Sequence, residues 1–103
     1  MNEYLNKTFE IKDEKSRSWG TFTVRQVFDS NINGRLHPSP DYDQVKQVFL
    51  DHEKVIESGI GDSEKTTSAI LKLGAYLTDG VKNYPISNIL FISEKLLVTC
   101  KID

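Results

Sequence analysis

The apolar residues of this chain change their period twice, and that change limits the folds open to it. Residues 8–12 (TFEIK) and 21–28 (TFTVRQVF) alternate apolar with polar, the period of two that a strand with one buried face requires. Phe9 and Ile11 share a face in the first segment. Phe22, Val24 and Phe28 share one in the second, with Thr21, Thr23, Arg25 and Val27 opposite. Further on the period lengthens: Val45, Val48, Phe49, His52, Val55 and Ile56 recur at helical spacing. At about 100° per residue they fall within an arc of roughly 120°, one core-facing stripe. Near the end the period shortens again. Residues 86–92 read as a strand and residues 93–95 as a turn, after which Leu96, Val98, Cys100 and Ile102 alternate with Leu97, Thr99, Lys101 and Asp103.

Local signals mark the joints. Residues 13–18 (DEKSRS) are a polar connection, and Asn31-Ile32-Asn33-Gly34 is a turn signal, since Asn and Gly tolerate positive φ. Ser39-Pro40-Asp41 opens the first helix with a hydroxyl cap, a proline and an acid, and Gly59 closes it. Asp62 or Ser63 caps a second helix, with Thr66, Ala69, Ile70 and Leu73 on one face. Residues 74–80 are open to two readings. Leu77 continues the helical period toward a stop at Asp79-Gly80, the reading the period favours; alternatively Gly74 ends the helix and residues 75–78 form a strand into an Asp-Gly turn. The order ββ-αα-ββ predicts an α+β, two-layer fold. Its sheet is mostly antiparallel, of four or five strands, with both helices on one face. The length of 103 residues fits a single domain spanning 1–103 and excludes an eightfold βα barrel or a doubly wound dinucleotide fold with a substrate domain.

Charge narrows the function. Thirteen basic residues face fifteen acidic ones, so the basic excess that phosphate binding requires is missing and no nucleic-acid partner is expected. A single cysteine excludes an internal disulfide. Residues 1–13 lack the apolar stretch of a signal peptide, and the longest clean apolar run, residues 89–92, is far short of a membrane span. A soluble, cytoplasmic protein without a membrane partner is expected. Within the chain, residues 41–64 carry seven acids against two lysines, net −5, between flanks of +1 and +2.

The candidate chemistry is sparse. Residues 59–66 (GIGDSEKT) approach the phosphate-binding loop pattern, but Glu64 stands where the second glycine belongs and would repel phosphate. A helix stop followed by a helix cap accounts for every residue of that segment. Gly61-Asp62-Ser63 resembles a nucleophile block, yet both histidines lie upstream of it in a short chain. His52 lies within the apolar stripe without a metal-ligand partner at helical spacing, so it reads as a packed side chain with one satisfied nitrogen. Cys100 reads as a buried thiol. No cofactor, metal or catalytic set is expected. In a small enzyme or ligand-binding domain, the pocket would form near Arg35, His37 and Asp41, with His37 as acid or base and Arg35 holding an anion. The reading preferred here is a non-enzymatic binding module, an inhibitor or immunity-type protein. Its partner surface comprises Asp43, Lys46, Leu50, Glu53 and Glu57 on the outer face of the first helix. Such a surface would take a basic protein, such as a toxin or a nuclease.

Overall fold

Residues 2–92 and 96–102 are described by the structure, a computed structural model. The turn at residues 93–95, and Asp103 in the final alternation, lie outside the described residues. Three strands come first: β1 (Thr8–Lys12), β2 (Ser18–Phe28) and β3 (Asn31–Pro38). Two helices follow, α1 (Lys46–Ser58) and α2 (Ser63–Leu71), and then β4 (Tyr76–Thr78), β5 (Asn83–Ile92) and β6 (Leu97–Ile102). Short 3-10 turns precede β1 at Asn2–Tyr4 and α1 at Pro40–Gln44. Neighbouring strands are antiparallel, and the order β1-β2-β3-β6-β5-β4 closes on itself as β4 pairs with β1.

The class is α+β, as the periodicity predicts, but the sheet has six strands rather than four or five and closes into a barrel. The added strands lie at two ambiguous places. The Asn31–Gly34 turn signal is instead the start of β3, and the chain reverses at Asp29, whose φ is 53°. Gly34 serves close approach rather than turning. A Cβ there would overlap the Thr23 carbonyl oxygen, so only glycine lets β3 lie this near β2. Gly34→Ala is expected to force the two strands apart and cost about 1–3 kcal/mol. An unchanged urea midpoint would contradict that tight approach. Residues 74–80 take the strand reading. Gly74 (φ 65°) breaks the helical path, and β4 runs into a turn where Asp79 accepts from the amides of Val81 and Lys82 at 2.8 and 2.7 Å. Closure brings β1 and β5 together across this three-residue strand and leaves few open edges.

The interior follows the alternation except where a bulge shifts it. Phe9, Ile11, Phe22, Val24, Ile32, Leu36, Leu77, Val98 and Cys100 are buried in the barrel. In β2 the register shifts between Val24 and Gln26, so the inward set changes parity. Val27 then packs on the core, and Phe28, expected beside Phe22 and Val24, is 47% exposed.

Each barrel end has its own closure. Near the chain start Tyr4 meets Phe9 and Tyr84, with ring centroids 6.2 and 5.7 Å away. At the other end, where β2 begins, Trp19 is buried edge-on against Phe49 of α1, with centroids 5.5 Å apart at 80°. The indole is fixed in turn by Asp13, buried in the connection that reads from sequence as merely polar. Its carboxylate accepts from Trp19 Nε1 at 3.0 Å, Arg17 Nε at 2.8 Å, and the amides of Lys15 and Arg17 at 2.9 and 3.2 Å. The expected first helix is divided. A 3-10 turn covers Pro40–Gln44, Val45 departs from helical geometry at φ −112°, and α1 then runs to a left-handed cap at Gly59.

Candidate docking surface on the helical layer

On α1 the predicted stripe is graded rather than uniformly buried. Val45 and Phe49 are buried, Val48, His52 and Val55 are half-buried, and Ile56 is 60% exposed. Ile56 therefore does not belong to the core as its spacing suggests. It borders a groove of about 370 Å³ instead. Thr67 and Leu71 of α2 form the opposite wall, with Ile70 of α2 and Ile89 of β5 at the base. Ile70 and Ile89 are buried, and Leu71 is half-exposed.

Local hydrogen bonds order the helices that wall this groove. Of the two candidate caps, Asp62 is the one that caps α2, accepting from the amides of Glu64 and Lys65 at 3.0 and 3.2 Å. His52 also lines the groove, with Nδ1 2.8 Å from the Thr66 hydroxyl. The Thr66 hydroxyl also lies 3.1 Å from the Ser63 carbonyl, so it ties the α2 N-terminus to α1.

The predicted partner residues lie on this same layer. Asp43, Lys46 and Glu57 are exposed, whereas Leu50 and Glu53 are half-buried. Leu50 is thus not the protruding anchor its place opposite the stripe implies. Burial raises the Tyr42 hydroxyl pKa, and the nearby charges of Glu53 and Asp43 raise it further, so the phenol stays protonated.

The residues of the alternative pocket are placed differently. Arg35 and His37 are exposed on β3 on either side of the inward-facing Leu36, opposite Thr23 and Thr21 of β2. Asp41 is exposed on the 3-10 turn that follows. Cys100 is buried in the barrel, and burial pushes its thiol up to about 12, so it remains protonated at neutral pH. Among the described residues no group of three His, Cys, Asp or Glu is arranged to hold a metal ion, and no helix is long and apolar enough to cross a membrane.

The groove escapes the spacing of apolar residues because it is built from three elements. An isoleucine at the end of a helical stripe, followed by Gly59 and an exposed Ile60, is the one local sign that the apolar face outruns the core. Comparison with family models, with curated proteins and with solved structures gives no match.

Proposed function

We propose that this protein is a non-enzymatic binding module of the inhibitor or immunity type, which covers a basic surface of another protein with its acidic helical layer. The observation that carries this reading is the exposure of six of the seven acids in residues 41–64 on a layer set against a barrel filled by its own side chains. Like charges held this close repel one another, and a partner bearing Lys and Arg relieves that repulsion while its approach is steered by the field.

Charge reversal tests the reading. The protein and its charge-reversed variants are titrated, at low and high salt, against the partner captured from the source cell. Asp43→Lys combined with Glu57→Lys is expected to slow association about tenfold at low salt while leaving the thermal midpoint unchanged. These two positions suit the test because both are exposed, whereas Leu50 and Glu53 also pack. Binding that ignores both salt and the reversal would overturn the reading and move the functional surface to the outer face of β3 around Arg35 and His37.

A further inference from the structure

We infer that the groove between α1, α2 and β5 seats an aliphatic side chain carried on a Lys- or Arg-bearing segment of a protein partner. The inference rests on the docking reading above and supplies the apolar contact that charge alone lacks. Ile70 and Ile89 are buried at the base of the groove, while Ile56 and Leu71 stand 60% and 50% exposed on its two sides. Their apolar surface faces water in the free protein, and burying it favours binding in proportion to its area. A volume of about 370 Å³ has room for side chains rather than for a folded element.

The charges around the groove specify the neighbours of that side chain. At about 100° per residue, Glu64 lies roughly 20° from Leu71 around α2, whereas Lys65 lies roughly 120° away. On α1, by the same rule, Glu53 and Glu57 are roughly 60° and 100° from Ile56, and Lys54 is roughly 160° away. Glu64 and Glu53 are thus the charged residues nearest the two walls by this rule, and Lys54 and Lys65 face elsewhere. A second depression, lined by Ser63, Glu64, Thr67 and Ser68, adjoins the groove through Ser63 and Thr67. An acidic rim around an aliphatic floor fits an apolar side chain with cationic neighbours and disfavours an acidic partner.

The test uses three labelled peptides of equal length, built from Leu and Lys at helical spacing, from Ser and Lys, and from Leu and Glu. Binding is followed by fluorescence anisotropy and by methyl resonances of the protein. The Leu/Lys peptide is expected to bind at least about tenfold tighter than the Ser/Lys peptide, and the Leu/Glu peptide not to bind. Shifts should centre on the methyls of Ile56, Leu71 and Ile89. Ile56→Ser and Leu71→Ser should each weaken binding about five- to tenfold, retaining its salt dependence and the parent's melting temperature to within a few degrees. Equal, salt-dependent binding of both Lys peptides, insensitive to Ile56→Ser, would overturn the groove and leave the acidic-face reading standing. Binding of neither peptide would overturn the groove, with the partner titration deciding the acidic face separately. Self-association of the parent that Leu71→Ser abolishes would also overturn the inference, since the occupant would be a second copy of the chain.

Discussion

Phe49→Ala is expected to lower the thermal midpoint by about 15 °C or more, the largest effect of any single truncation in the helical layer. Phe49 is 1% exposed, and its ring meets Trp19 in an edge-to-face contact. It connects α1 to the start of β2 and covers the barrel end there. Truncation removes buried apolar surface and leaves a cavity between two elements that cannot readily collapse, at a cost of about 3–5 kcal/mol. Domains of this size have roughly 5–15 kcal/mol of stability in all. The loss would therefore be visible both in a thermal melt and as faster amide exchange throughout α1. A melt within a degree or two of the parent would show that α1 does not rest on Trp19.

Asp13→Ala is expected to be comparably damaging, at about 3–5 kcal/mol, because it leaves the Trp19 indole N–H, the Arg17 guanidinium and two amides without their acceptor. The same carboxylate should make the fold acid-labile. Burial raises its pKa, but hydrogen bonds from Trp19, Arg17 and Lys15 outweigh that effect and hold it below the ordinary value of 3.8. A depressed folded-state pKa contributes stability that is full above the unfolded value and lost as pH falls through the folded one. Stability should therefore fall steeply below about pH 4, and in Asp13→Asn that part of the pH dependence should flatten. Urea midpoints measured from neutral pH down to pH 2.5 check this. An unchanged acid limb in Asp13→Asn would place the acid sensitivity at other carboxylates.

The elements that can be read from the chain are those whose periodicity concerns one face only. Phe9 and Ile11 of β1, Val98 and Cys100 of β6, the Gly59 stop and the Asp62 cap all need no knowledge of the partner strand. What escapes is non-local. Gly34 has the composition of a turn residue, and its true role depends on the distance to Thr23 on another strand. Phe28 keeps its place in the written alternation, but the bulge after Val24 turns it outward. Asp13 lies in a run of charged residues, and only the fold brings the Trp19 indole to it. The candidate surface divides in the same way. The acidic run is plain in the sequence, whereas the groove requires Ile56, Leu71 and Ile89 to meet from three separate elements.

The helical layer, and not the outer barrel face, is the surface we propose for docking. Amide hydrogen exchange of the protein, alone and with its captured partner, tests that claim most directly. Protection gained on binding should concentrate in α1 and α2, with residues 31–38 of β3 exchanging as in the free protein. Protection confined to β3 and its neighbour β2, with α1 and α2 unaltered, would contradict it.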